Sequence, residues 1–293
     1  MEVIKLPFVK MQGAGNDYVY MDTIGNTPLK TFPEKFYPEL AREVSERHFG
    51  VGSDGLILIL PSVGADFYMR IFNADGSEAQ MCGNGIRCVG KYVYEKGLTS
   101  NRKLRIETLG GIKELFLHVI NNRVNSVTVD MGKPVFDQSE IPVASHGEEP
   151  VISEKITIED REFRITAIGM GNPHCVIFVD KADDRLLHYY GPRIEHYKLF
   201  PERTNVEFVE IIDSHKIRMR VWERGSGETL ACGTGACASV VAAFINGLTE
   251  REVEVDLSGG KLKVNYDKDS GHIFMTGGAE FIAEGYYYLQ NKL

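Results

Sequence analysis

The sequence predicts an α+β fold of two pseudo-symmetric halves, each mostly antiparallel strands around a central helix, with the active site in the cleft between them. The main observation is an internal repeat, in which RIFNADGSEAQMCGNG (70–85) aligns without gaps with RVWERGSGETLACGTG (220–235). The length of 293 residues is also that of about two ordinary domains. We expect an N-terminal half over 1–128, joined by the C-terminal segment 279–293, and a C-terminal half over 129–278.

A strand-like run precedes each cysteine turn of the repeat, and a helix is predicted directly after it. In the first half, Ile86, Val89 and Val93 recur at helical spacing. In the second half, 236–245 is apolar on nearly every side, which is typical of a fully buried helix. The polar run 145–150 lies between the halves and predicts a linker or an exposed loop.

The composition excludes several classes of protein. The chain is 43% hydrophobic and 25% charged, with a net charge of -8 and no basic tract, which argues against a nucleic-acid partner. No run approaches the roughly 18 apolar residues of a membrane span, and the N-terminus lacks the apolar core of a signal peptide. The five cysteines, an odd number, do not suggest a secreted disulfide framework. We therefore expect a cytoplasmic protein whose partner is a small molecule.

The two CGxG turns carry the chemistry. Cys82 and Cys232 each precede a predicted helix N-terminus, whose free N–H groups favour anions and lower the pKa of a thiol. Two equivalent halves would bring two equivalent thiols and two anion sites to one cleft. One thiolate could then remove a proton from one face of a carbon while the opposite thiol protonates the other face. This arrangement predicts inversion at a carbon next to a carboxylate, without a cofactor.

Other uses of the cysteines fit the pattern less well. Five residues separate Cys82 from Cys88 and four separate Cys232 from Cys237, and no histidine set accompanies them, so no metal site is predicted. A Cys82–Cys232 disulfide would need both thiols in one cleft and would block proton transfer. We interpret Cys88, Cys175 and Cys237 as buried filler. A non-catalytic binder built on the same repeat would have no use for paired thiols.

Four motifs together resemble the diaminopimelate epimerases. They are MQGAGNDY (11–18), NADGSEAQMCGNGIRC (73–88), GNPH (171–174) and ERGSGETLACGTGACA (223–238), in the family's order and spread over essentially the whole chain. The cysteine turns alone are shared more loosely with proline racemases. A proline or hydroxyproline racemase remains the alternative enzyme, but its substrate has no distal ammonium and carboxylate to recognise.

The resemblance implies interconversion of LL- and meso-diaminopimelate in lysine and peptidoglycan precursor synthesis, without cofactor or metal. It also implies two halves that close on the substrate and a homodimer. Cys82 and Cys232 would be the catalytic acid/base pair, tuned by His174 and Glu223. The substrate-binding residues that the resemblance implies are Asn16, Asn73, Gly83, Asn84, Asn172, Asn205, Glu223, Arg224, Gly233 and Thr234.

Some of these residues also have ordinary structural interpretations. Asn16 and Asn172 follow glycines and could serve only as turn residues, and His174 could be a satisfied, partly buried histidine. Gly55 departs from the family pattern, because many relatives carry a glutamine there that contacts substrate. A glycine cannot make that side-chain contact, so none is expected at this position.

Overall fold

The computed structural model describes residues 3–25, 27–144 and 150–290, and the chain divides into two compact units. Unit 1 comprises Met1–Val129 and Gly277–Leu293, and unit 2 comprises Asp130–Thr276. Most of the loop predicted at 145–150 and the last three residues of the segment 279–293 lie outside the described residues.

Strands account for most of the regular structure. In chain order they are β1 Val3–Gly13, β2 Asn16–Asp22, β3 Gly55–Leu60, β4 Phe67–Asn73, β5 Glu78–Ala79, β6 Lys103–Glu107, β7 Lys113–Ile120, β8 Arg123–Asp130, β9 Glu154–Ile158, β10 Arg161–Gly169, β11 Pro173–Phe178, β12 Asn205–Asp213, β13 Lys216–Glu223, β14 Gly227–Thr229, β15 Glu252–Leu257, β16 Gly260–Tyr266, β17 Ile273–Gly277 and β18 Glu280–Gln290. The α-helices are α1 Tyr37–Ser45, α2 Gly83–Glu95, α3 Gly191–Glu195 and α4 Gly233–Ile245. Short 3-10 turns span Pro28–Thr31 and Glu34–Phe36, and a π-helical turn spans Leu186–Tyr190.

The strand pairings repeat between the units. In unit 1, β1/β2 is antiparallel, β2/β3 parallel, β3/β4 and β4/β5 antiparallel, β4/β6 parallel and β6/β7 antiparallel. In unit 2, the series β10/β11, β11/β12, β12/β13, β13/β14, β13/β15 and β15/β16 follows the same sequence of directions. The predicted α+β fold with two repeated, mostly antiparallel halves is therefore confirmed.

One long helix packs on the strands of each unit. Helix α2 contacts β1, β2 and β7, and helix α4 contacts six strands of its own unit. Helix α2 ends where Gly97 takes a φ of +73° and the Lys96 N–H bonds the carbonyl of Tyr92. Helix α4 is buried from Gly233 to Ala243 except at Thr234, as its continuous apolar sequence predicts.

The C-terminal strand β18 pairs antiparallel with β1 along its whole length, from Val3 opposite Gln290 to Gln12 opposite Glu280. This pairing brings Leu289 into an apolar cluster with Leu6, Val19 and other residues of unit 1. A second cluster lies within unit 2 and includes Phe163. None of the described helices is long and apolar enough to cross a membrane.

Candidate active site

Both cysteines occupy the N-cap position of the long helix of their unit. The Cys82 sulfur accepts the Gly85 N–H at 3.3 Å, and the Cys232 sulfur accepts the Gly235 N–H at the same distance. Each sulfur thus receives one of the N–H groups that the first helical turn leaves without a main-chain partner. The repeat in sequence therefore becomes a repeat in the placement of the two thiols.

A side chain added three residues after either thiol would have to displace a neighbouring side chain. A Cβ on Gly85 would lie 2.6 Å from Ile57 Cδ1, and a Cβ on Gly235 would lie 2.7 Å from Glu207 Oε1. Ile57 and Glu207 stand at the repeat offset of 150, like the cysteines. The same place in the two units therefore holds an apolar side chain in one and a carboxylate in the other.

In unit 1, a short polar chain leads from the thiol to a carboxylate. The Cys82 S–H donates to Asn16 Oδ1 at 3.3 Å, and Asn16 Nδ2 donates to Asp54 Oδ2 at 2.8 Å. Burial, together with the nearby Cys82 and Asp54, raises the pKa of Tyr18, which therefore remains a neutral phenol. Asn16 is more than a turn residue, because its side chain orients the thiol.

Asn84 is held by an arginine that sequence reasoning did not single out. Arg87 is fully buried and donates to Asn84 Oδ1 at 3.0 Å, to the Gly83 carbonyl at 3.1 Å and to the Gly278 carbonyl at 3.2 Å. A guanidinium among the apolar positions of a helix was the available signal. Asn73 lies at the end of β4, where its Nδ2 donates to Ser77 Oγ at 3.0 Å.

In unit 2, the buried His174 lies between Asn172, a predicted site residue, and Glu207, which was not predicted. Its Nδ1 lies 2.6 Å from Glu207 Oε1, and its Nε2 lies 2.9 Å from Asn172 Oδ1. Glu207 is completely buried, and its Oε2 has no hydrogen-bond partner within the part of the chain that the structure describes. Sequence reasoning missed Glu207, although an acidic residue between Val206 and Phe208 was a visible signal.

The expectation of a lowered thiol pKa is wrong for Cys232. Burial raises its pKa well above the usual value, and the negative charges of Glu223 and Glu207 raise it further. Hydrogen bonds from Thr234 and Gly235 act in the opposite direction but are outweighed. The helix terminus that suggested a reactive thiolate therefore holds a thiol that is protonated at neutral pH.

The remaining cysteines are buried, as their interpretation as filler requires. Burial raises the pKa of Cys88 to about 11 and raises that of Cys175 well above the usual value. No disulfide joins any of the five cysteines, all of which are described. Within the described ranges, no group of three or more histidine, cysteine or acidic side chains could hold a metal ion. The absence of a cofactor or metal in the reaction stays a prediction.

The turn after β13 presents Glu223 and Arg224. Asn205 holds it, because its Oδ1 accepts the Arg224 N–H at 2.9 Å while its Nδ2 donates to the Pro173 carbonyl at 2.8 Å. The Thr229 hydroxyl donates to Glu223 Oε1. Both polar ends of Asn205 thus bond main chain, so its role in this structure is to brace the turn. Its contact with substrate stays a prediction.

Two acidic residues of the repeat have matched structural roles. Arg70 donates to Glu78 at 2.7 Å, and Arg220 donates to Glu228 at 2.8 Å. These pairs join neighbouring strands on either side of each turn. Both glutamates therefore belong to ion pairs within the strand framework of their units.

A known family matches this chain in two segments. The family model for diaminopimelate epimerase matches residues 8–136 and 166–282. Diaminopimelate epimerase of Desulfovibrio desulfuricans is 50% identical, over 98% of this chain and 99% of its own. That of Acetivibrio thermocellus is also 50% identical, over 95% of this chain and 97% of its own.

Solved structures with the same fold include more distant proteins. A hydroxyproline epimerase from Agrobacterium vitis superposes with a TM-score of 0.68 at 15% identity, over 98% of this chain and 94% of its own. A probable proline racemase from Agrobacterium radiobacter gives a TM-score of 0.70 at 14% identity, with the same coverage. At such identities the likeness shows the fold alone. The family model and the close relatives show that the chain belongs to the diaminopimelate epimerase family.

Proposed function

We propose that this chain interconverts LL- and meso-diaminopimelate by proton transfer between two cysteine sulfurs and one carbon of the substrate. The observation that supports this proposal most directly is that Cys82 and Cys232 occupy equivalent N-cap positions. Each sulfur accepts a hydrogen bond from the third N–H of its helix. Full-length relatives at 50% identity bear the name of this activity, which supports the choice of substrate.

The proposed reaction balances with the two sulfurs alone. The thiolate of one cysteine takes the α-proton, so that a C–H bond breaks and an S–H bond forms. The thiol of the other cysteine gives its proton to the opposite face, so that its S–H bond breaks and a new C–H bond forms. The substrate leaves inverted, and the two cysteines have exchanged protonation states. Proton exchange with solvent, or the reverse reaction, returns them to the starting state.

The surroundings of the thiols support a division of roles in the resting protein. Burial, Glu223 and Glu207 all favour the neutral thiol of Cys232, which suits the acid. Cys82 is less buried and has Ile57 where Cys232 has Glu207. We therefore assign the first proton abstraction to Cys82, after its thiol has lost the proton that it donates to Asn16, and the first proton delivery to Cys232.

Charge develops on the substrate carboxylate during proton abstraction, and N–H donors of the two helix starts would stabilise it. We propose Gly83 and Asn84, together with Gly233 and Thr234, for this task. Arg87 supports it, because its bonds to Gly83 and Asn84 order the first turn of α2.

The other end of diaminopimelate is itself an amino acid with an ammonium and a carboxylate. Glu223 and Arg224 provide complementary charges on one turn. Asn16, Asn73, Asn172 and Asn205 complete the proposed binding residues, and His174 with Glu223 would tune the thiols. We further propose that the protein acts in the cytoplasm, in lysine and peptidoglycan precursor synthesis, as a homodimer.

The test is solvent deuterium uptake at the α-carbon of LL-diaminopimelate, followed by NMR in reducing buffer without added metal or cofactor. We expect uptake and formation of the meso isomer by the wild type, with loss of epimerisation in Cys82→Ala and in Cys232→Ala. Cys88→Ala is the matched control, because it removes a buried thiol that the proposed reaction does not use.

Proline serves as the second substrate in the same assay. A folded, reduced wild type that exchanges no diaminopimelate proton would refute the substrate. Inversion of proline under those conditions would move the assignment to a proline racemase. Epimerisation that survives either catalytic-cysteine substitution would refute the two-thiol mechanism.

A further inference from the structure

Glu195 is a buried carboxylate of unit 2 that lies outside the proposed catalytic and binding residues. Its side chain is 4% exposed at the end of α3. Oε2 accepts the Trp222 indole N–H at 2.8 Å, and Oε1 accepts the Gly225 main-chain N–H at 2.9 Å. Burial of a carboxylate is costly unless such donors satisfy it, so Glu195 is tied to the position of both.

The two donors flank the turn that carries Glu223 and Arg224. Trp222 is the last residue before this pair, and Gly225 is the first residue after it. Gly225 has a φ of +77°, and the Ser226 N–H bonds the Glu223 carbonyl at 3.1 Å. Glu195 therefore accepts hydrogen bonds from both ends of the turn, while Asn205 accepts the Arg224 N–H between them.

The equivalent turn of unit 1 is held at the same place by a different group. Asp75 matches Gly225 at the repeat offset of 150, and Arg42 of α1 donates to the Asp75 carbonyl at 2.8 Å. Phe72 occupies the position of Trp222 and has no side-chain N–H to donate. In both units a charged side chain from the preceding helix thus binds the main chain at this turn position. Arg42 donates to it in unit 1, and Glu195 accepts from it in unit 2.

Cations near Glu195 are peripheral to these bonds. The guanidinium of Arg203 lies 3.9 Å from Oε1 and the imidazole of His196 lies 3.8 Å from Oε2, and both side chains are more than half exposed. The two N–H donors of the turn are closer and better placed. The carboxylate is therefore engaged chiefly with the turn.

We propose that Glu195 is a positioning residue that sets the conformation of the Glu223–Arg224 turn and thereby the affinity for the charged distal end of the substrate. This inference rests on the proposed function. The inference adds Glu195 of α3 as a specificity-determining residue that acts through the turn and does not itself contact substrate.

Glu195→Gln tests the proposal with little change of volume. A glutamine keeps one acceptor oxygen but turns an amide NH2 towards the second donor, so one of the two bonds to the turn is lost. Glu210→Gln is the matched control in the same unit, because Glu210 accepts from the Ala182 N–H and from Arg218 instead. Trp222 is the only tryptophan, so intrinsic fluorescence reports directly on the bond to Glu195.

Three measurements separate positioning from general damage. We expect Glu195→Gln to change the tryptophan emission and to raise both the KM for diaminopimelate and the concentration that half-protects Cys232 from iodoacetamide. The rise should be at most about tenfold, because the energy of one lost bond to an ionised group is the upper limit on the cost of restoring the turn when substrate binds. The kcat and the rate of Cys232 alkylation without substrate should change less than about twofold, and Glu210→Gln should match the wild type throughout.

An altered tryptophan emission with unchanged KM and unchanged protection would overturn the proposal, because the turn would have moved without effect on binding. A parallel fall in kcat and in unprotected alkylation would also overturn it, since that indicates damage to the thiol site. A wild type that diaminopimelate does not protect would refute the proposed function, and with it the substrate named here.

Discussion

Gly55 offers the sharpest test of how closely the strands of unit 1 pack. A Cβ at this position would lie 2.2 Å from the Phe72 carbonyl oxygen, 2.9 Å from Tyr18 Cε1 and 3.1 Å from Asn73 Cα. Gly55 pairs with Asn73 in the β3/β4 register, so the nearest obstacle is main chain of the adjacent strand. Gly55→Ala should therefore force β3 and β4 apart, as should Gly55→Gln.

Overpacking in a protein core commonly costs about 1–3 kcal/mol. The upper part of that range is expected here, because a main-chain carbonyl cannot rotate away as a side chain can. A loss of about 3 kcal/mol would lower Tm by roughly 6–12 °C in a unit of this size. Glutamine begins with the same Cβ, so Gly55→Gln should cost at least as much as Gly55→Ala.

Urea unfolding followed by far-UV circular dichroism measures this loss. Gly64→Ala is the control, because no atom lies within 4 Å of its added Cβ. A Gly55→Ala protein within about 0.5 kcal/mol of both the wild type and the control would refute the argument. It would show that the strands relax at little cost.

Three further predictions concern buried charge and buried thiols. The raised pKa of Cys232 keeps the thiol protonated at neutral pH, so the rate of its alkylation by iodoacetamide should still be rising above pH 9. Glu223→Gln should shift that rise to lower pH, and an unchanged pH profile would contradict the role of Glu223. Arg87→Met should destabilise the protein by about 1–3 kcal/mol in urea, because it leaves three oxygen acceptors without their buried donor. A loss below about 1 kcal/mol would show that those oxygens find other donors. Cys88, with a pKa of about 11 and no exposed surface, should be alkylated at pH 9 only after unfolding. Mass spectrometry of the labelled peptides measures this, and labelling of Cys88 in the native protein as fast as that of Cys82 would contradict the prediction.

Much of the fold was predictable because its signals are local or repeated. Glycine turns, a strand before each cysteine and an apolar helix after it recur at one offset, and a repeat in sequence requires a repeat in structure. The placement of Cys82 and Cys232 at helix N-caps followed from the same pattern. The motifs around them also predicted the family.

The partners of the supporting residues were not predictable, because they are brought together by tertiary contacts and not by sequence spacing. Glu207 meets His174 across the parallel β11/β12 pair, and Glu195 meets the turn after β13 from a separate helix. Arg87 bonds Gly278, which is 191 positions away. Apolar neighbours in the sequence mark Glu207 and Arg87 as unusual charges, but no local pattern identifies the groups that they contact.

The sequence by itself determined the repeat, the two thiols, the helices that follow them and membership of the family, since each is written in contiguous motifs. Only the tertiary structure decided the electrostatic character of the site. Helix N-termini indicated a lowered thiol pKa, yet burial beside Glu207 and Glu223 raises the pKa of Cys232. Desolvation and the charges of residues distant in sequence depend on where the chain folds back on itself, and in this protein they outweigh the local effect of the helix.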